Sequence, residues 1–222
     1  MARFSSIAVY NVILEQGLVP VFYNGNFEKA RNIVSAIAKG GGKIVEFTNR
    51  GDFGYKIFTK LVRHFKNTEP HLVFGVGSIF EPNTAALYIN SGANFIVGPV
   101  LNPEIAKLCN RRRIPYSPGC GTPSEISYAE ELGCEIIKFF PGGLLGGPDF
   151  IKSILAPSPW TKIMPTGGVD ITEESIKRWF EAGVVAVGIG SKLISKDLVA
   201  KENWDGIVRN VVNTLALIKK YK

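Results

Sequence analysis

Lys138 lies in Ile136-Ile137-Lys138-Phe139-Phe140-Pro141-Gly142, a basic residue inside an apolar run. Burial disfavours an ammonium and frees the nitrogen lone pair for attack on a carbonyl carbon, the first step of Schiff-base chemistry. The competing reading is a strand-end lysine that lays its stem on apolar neighbours and carries its charge out to water. A second chemical segment is Lys43-Ile44-Val45-Glu46-Phe47-Thr48-Asn49-Arg50. Strand alternation there gives Glu46, Thr48 and Arg50 one face and Val45 and Phe47 the other. Glu46 brings a carboxyl suited to proton transfer, and Arg50 a cation able to depress a nearby amine's pKa. Alternatively the two simply pair with each other at a strand end.

Three glycine-bearing turns add polar backbone. Val73-Phe74-Gly75-Val76-Gly77-Ser78 ends in a hydroxyl where a ligand could approach the main chain closely. Pro165-Thr166-Gly167-Gly168-Val169 and Gly188-Ile189-Gly190-Ser191 have the form of paired loops that bind phosphate through backbone N–H groups. Each such turn alone is common in α/β proteins. Placement of acid, cation, amine and both loops after different strands at one end of one sheet is what gives them joint weight.

The elements that would position these groups follow from hydrophobic period. Short apolar runs, Leu18–Tyr23, Lys43–Thr48, His71–Val76, Phe95–Gly98, Ile114–Ser117, Glu135–Phe139, Lys162–Met164 and Val184–Val187, read as strands. Between them, Phe27–Lys39, Phe53–Phe65, Pro82–Asn90, Pro103–Arg112, Pro123–Leu132, Asp149–Leu155 and Thr172–Ala182 read as helices. Thr122 before Pro123, with Glu125 three residues on, is a helix start, as is Thr172 before Glu173 and Glu174. Gly40, Gly92, Gly133 and Gly183 are helix stops. Eight βα units predict a (β/α)8 TIM barrel, one domain over residues 1–222. A leading helix, Ala2 to Gln16, would close the barrel floor and a terminal one, Asn203 to Tyr221, would pack on the outer ring. Function is then sought at the C-terminal strand ends.

Composition narrows the chemistry. The 222 residues contain no apolar run near the roughly 20 residues that span a bilayer and no charged-then-apolar leader, so no membrane partner and a cytoplasmic location are expected. Cys109, Cys120 and Cys134 lack CxxC spacing, and His64 and His71 lack HxH or HExxH spacing, so neither a disulfide framework nor a metal is expected, and no cofactor. The net charge of +7 favours encounter with a small anionic substrate. It could also serve nucleic acid, but Arg111-Arg112-Arg113 has no interleaved aromatics and reads as a solvated helix end.

Taken together, Glu46-Phe47-Thr48-Asn49-Arg50, Gly75-Val76-Gly77-Ser78, Pro118-Gly119, Lys138-Phe139-Phe140-Pro141 and Pro165-Thr166-Gly167-Gly168-Val169 resemble the class I aldolases of 2-keto-3-deoxy-6-phosphogluconate and 4-hydroxy-2-oxoglutarate, over a stretch from Gly17 to Ser191. The resemblance implies that Lys138 forms the Schiff base and Glu46 shuttles protons. It implies further that Arg50 and Ser78 hold the pyruvate carboxylate, that Pro99 and Thr166 contact substrate, and that Gly167, Gly168, Gly190 and Ser191 bind phosphate. It also implies a homotrimer acting in Entner-Doudoroff carbohydrate metabolism. Ser78 stands where the family often has threonine. Gly98 stands where a serine usually precedes the proline, which predicts a looser pocket wall. The products would be pyruvate and glyceraldehyde 3-phosphate. Alternatives are a 4-hydroxy-2-oxoglutarate or phosphogalactonate-type aldolase, a phosphate-binding barrel isomerase or epimerase, and a catalytically silent sugar-phosphate binder. Gly142–Gly147 reads as either a mobile lid or a rigid set of turns.

Overall fold

A computed structural model describes residues 3–222. Its elements run α1 (Ser6–Gln16), β1 (Leu18–Phe22), α2 (Phe27–Lys39), β2 (Ile44–Thr48), α3 (Gly54–Thr68), β3 (Val73–Gly77), α4 (Pro82–Asn90), β4 (Ile96–Val97) and α5 (Pro103–Arg112). They continue with β5 (Tyr116–Ser117), β6 (Gly119–Cys120), α6 (Pro123–Glu131), β7 (Ile137–Phe139), α7 (Gly147–Leu155), β8 (Ile163–Pro165), α8 (Glu173–Glu181), β9 (Val187–Ile189), α9 (Lys196–Ala200) and α10 (Trp204–Tyr221).

All strand pairs are parallel, in the orders β5-β4-β3-β2-β1-β9 and β6-β7-β8. A bridge between Thr166 and Gly188 joins β8 to β9. The chain itself joins β5 to β6 across Pro118, which has no N–H to give a ladder. The ring is therefore closed, and the expected (β/α)8 barrel is the fold, with its fifth strand cut in two by the proline. The carbonyl oxygens on either side of that cut serve different neighbours: Ser117 accepts from Gly98 at 3.0 Å and Pro118 from Lys138 at 3.0 Å.

Inside the ring, Val19, Ile44, Val73, Phe95, Ile136, Met164 and Ala186 form an apolar layer that packs on Val9 and Ile13 of α1. That helix closes the floor as expected, although the expected start at Ala2 lies outside the described residues. Outward-pointing neighbours such as Val45, Phe47, Ile137 and Phe139 belong to the larger core under the helices. With a period of two, the residues two beyond Ile44, Val73, Ile136 and Ala186 face inward one layer higher, and these are Glu46, Gly75, Lys138 and Gly188. The hydrophobic pattern thus delivers an acid and an amine to the interior above an apolar plug.

Caps fall where their residues ask for them. Thr122 Oγ1 accepts from the Glu125 N–H, and Thr172 Oγ1 from that of Ser175. Arg113 caps α5, so the arginine run is a helix end. Gly40 caps α2 as expected, and the left-handed residue is the next one, Gly41 (φ 91°). Several bounds differ from the sequence reading: α3 runs on to Thr68, and α7 starts at Gly147. The last strand is Val187–Ile189, since Val184 to Ala186 still leads in from α8. A short α9, capped by Ser195, was not expected.

Candidate active site

Lys138 is the central residue of β7, whose flanking Ile137 and Phe139 are fixed in the outer core. Its side chain accordingly points into the barrel and is 5% exposed. The snorkelling alternative does not hold. The Phe140 ring lies 4.5 Å from Nζ, near enough for a cation–π contact with a charged nitrogen. Burial pulls the Lys138 pKa below the ordinary lysine value; Glu46 opposes that shift and Arg50 reinforces it.

Glu46 is 2% exposed. Its carboxylate occupies the space that a side chain on Gly77 would need, so a glycine at the end of β3 makes room for the acid. Gly75, one register step below, similarly accommodates the Phe95 ring. Oε2 of Glu46 is buried without a hydrogen-bond partner. Burial raises the Glu46 pKa, against the opposing pull of Lys138 and Arg50. Both shifts favour uncharged forms, a neutral amine beside a carboxylic acid, which are the forms needed for nucleophilic attack and proton donation.

Arg50 is exposed, in the turn after β2, where its N–H donates to the Thr48 carbonyl at 2.9 Å. Among the described residues it makes no salt bridge with Glu46, so the simple ion-pair reading fails. Its charge nevertheless acts on both buried groups. Ser78, next to Gly77, is half-buried and left-handed at φ 61°, an uncommon conformation for serine. Pro99 is held against β6, since its carbonyl fills the space a side chain on Gly119 would need, and Gly119 is in register with Lys138. The wall at Gly98 is not loose. The Tyr116 hydroxyl occupies the position of the missing side chain and donates to the Val100 carbonyl at 3.0 Å.

Thr166 joins the amine to a second hollow. Its N–H donates to the Phe139 carbonyl at 3.0 Å, and its Oγ1 is buried without a partner. Beyond it, Gly167, Gly168, Gly190 and Ser191 line one pocket of about 310 Å³ with Gly188. The four residues singled out from two distant loops therefore meet. The neighbouring Gly142–Gly147 segment is a set of turns tied down at its start: Gly142 and Gly143 donate to Thr166 and Gly167 at 3.1 and 2.9 Å, and Gly147 donates back to Gly142 at 3.1 Å.

A family model described as KDPG and KHG aldolase matches residues 9–210. The chain belongs to this aldolase family. It is 31% identical over 217 residues to a 2-dehydro-3-deoxy-phosphogluconate aldolase of Haemophilus influenzae, covering 97% of this chain and 99% of that one. A KHG/KDPG aldolase of Escherichia coli is 27% identical, with 86% and 87% covered. The crystal structure of the Legionella pneumophila KDPG aldolase, with pyruvate captured at low pH as a covalent carbinolamine intermediate, superposes with a TM-score of 0.83 at 26% identity, covering 90% of this chain and 95% of that one. As a KDPG/KHG aldolase the chain is a carbon–carbon lyase.

Three residues that lie against Lys138 or line the second hollow escaped the sequence reading. Phe140 could have been found by continuing the inward period from Lys138. Asp170 and Lys192, which also line the 310 Å³ pocket, carry no local signal, because only the closed ring brings the ends of β8 and β9 together.

Proposed function

We propose that this KDPG/KHG aldolase cleaves a 2-keto-3-deoxy-6-phospho sugar acid of the phosphogluconate type to pyruvate and glyceraldehyde 3-phosphate through a Schiff base on Lys138. The observation that carries the reading is the pair of buried groups, amine and carboxyl, each shifted toward its neutral form.

Nζ of Lys138 attacks the C2 keto carbon, and Glu46 donates a proton to the departing hydroxyl as the carbinolamine loses water. The resulting iminium is cationic and lies over the Phe140 ring. The Glu46 carboxylate then takes the C4 hydroxyl proton as the C3–C4 bond breaks, and those electrons pass into the iminium to give an enamine. Glyceraldehyde 3-phosphate departs. Protonation at C3 and addition of water release pyruvate and restore the amine. Arg50 and Ser78 hold the substrate carboxylate, Pro99 and Thr166 line the chain of carbons, and backbone N–H groups around Gly167, Gly168, Gly190 and Ser191 receive the phosphate. A coupled pyruvate-release assay on phosphorylated and unphosphorylated 2-keto-3-deoxy acids tests this. Cleavage with preference for the phosphorylated acid is expected, and absence of pyruvate release from any of them overturns it.

Residues 1–222 act as one barrel domain in this reading, as a cytoplasmic homotrimer in Entner-Doudoroff metabolism. Three free, buried thiols suit a reducing compartment. Exposed Phe80 and Val100 suit a face covered by a second copy: the Asn102 amide donates to the Phe80 carbonyl at 2.9 Å, its N–H to the Tyr116 hydroxyl at 3.3 Å, and that hydroxyl to the Val100 carbonyl at 3.0 Å. Sedimentation at the mass of a monomer would remove the trimer.

A further inference from the structure

The pocket assigned to phosphate offers glycine backbone and one serine, and these carry dipoles but no formal charge. Its two charged lining residues are Asp170 and Lys192, which form a salt bridge at 2.8 Å. Asp170 is built in. Its carboxylate accepts from the Ile171 N–H at 2.7 Å, and its own N–H donates to Ser175 Oγ at 3.0 Å, so it belongs to the turn that starts α8. The hydrogen bond from Lys192 holds its pKa below the ordinary carboxylate range, with backbone N–H groups adding to the effect. A fixed anion thus stands in a hollow meant for a dianion. Lys192 is the one cation among the described residues lining that hollow, and at 62% side-chain exposure its stem is free to swing.

We propose that Lys192 is the specificity-determining residue for the phosphate: it neutralises Asp170 in the resting enzyme and turns its ammonium onto the substrate phosphate monoester, so that the Asp170–Lys192 pair sets the preference for phosphorylated over unphosphorylated 2-keto acids. This rests on the phosphate reading above. An ion pair with only a structural role would leave the preference unchanged, since exposed pairs contribute little to stability. With Lys192 removed, the substrate would meet an unscreened carboxylate and lose a charge-assisted hydrogen bond.

The test compares kcat/KM for 2-keto-3-deoxy-6-phosphogluconate and its unphosphorylated counterpart in wild type, Lys192→Ala, Lys192→Arg and Asp170→Asn/Lys192→Ala. The expected result is that Lys192→Ala lowers the phosphorylated-to-unphosphorylated ratio about tenfold, through KM, consistent with loss of one charged contact. Lys192→Arg should keep most of the ratio, and the double variant should recover part of it by removing the exposed carboxylate. Added salt should raise the wild-type KM for the phosphorylated acid more than that of Lys192→Ala. An unchanged ratio in Lys192→Ala, in a wild type that prefers the phosphorylated acid, overturns the inference and leaves the phosphate reading standing. A wild type with no such preference overturns both.

Discussion

The carboxylate of Glu46 fills the volume that a side chain on Gly77 would occupy. The place of this carboxyl on β2 therefore depends on the absence of a single carbon at the end of β3, in a ladder that pairs Glu46 with Gly75 and Thr48 with Gly77. Gly77→Ala should push the carboxylate out of place. The expected outcome is a kcat at least tenfold lower and a stability loss of about 1–3 kcal/mol from overpacking, read by steady-state kinetics beside a denaturant titration. Wild-type kcat in this variant would mean that Glu46 acts from another position.

Glu46→Gln keeps the shape and removes the titration. If Glu46 moves protons in both dehydration and bond cleavage, kcat falls about 10²-fold or more. Single-turnover trapping of the imine would show whether dehydration or cleavage slows. A near-normal rate would reassign the role.

Arg50→Met should change the pH at which the amine becomes reactive. The guanidinium lowers the Lys138 pKa, as burial does, so removing it moves that pKa up, and a higher pH is needed for the same neutral fraction. The check is the pH dependence of Lys138 modification by an uncharged electrophile, which needs no contact between Arg50 and a substrate carboxylate. A profile that stays in place would show that burial alone sets the shift.

Lys138→Met replaces a costly group with an apolar one of similar length. The folded pKa lies below the ordinary value near 10.5, so between the two values the unfolded chain holds a proton that the folded chain does not. That linkage destabilises the native state increasingly as pH falls through the window, reaches its full extent below the folded pKa, and vanishes above the unfolded one. Thermal melts should therefore show the variant more stable at neutral pH. The gap should close as pH approaches the unfolded value. Equal melting temperatures at neutral pH would mean that the ammonium is solvated.

Much of this site was legible because period-two burial is a local property. Ile136 and Ile44 lie on the inward face, and two residues later the same face carries Lys138 and Glu46; the pattern allowed amine and acid that place but left a snorkelling lysine and a Glu46–Arg50 pair open, and burial within the closed ring decides between them. The Pro and Gly punctuation of α2, α4 and α5 was equally local, and those helices lie at their expected bounds. Register and ring closure were not legible. Pro118 divides one strand between two ladders, and the Asp170–Lys192 contact needs β8 beside β9, a relation set by the whole barrel. Tyr116 replacing the missing wall at Gly98 is likewise a contact between residues far apart in sequence, with no signature in either segment.

The most direct measurement is covalent trapping at the nucleophile. Incubation with pyruvate and borohydride, followed by intact mass and peptide mapping, should place one reduced pyruvyl group on the peptide that contains Lys138, with loss of activity in proportion and no adduct in Lys138→Met. Chelators should leave the reaction unchanged. An adduct on a different lysine, or inactivation without any adduct, would contradict the assignment of Lys138 as the Schiff-base residue.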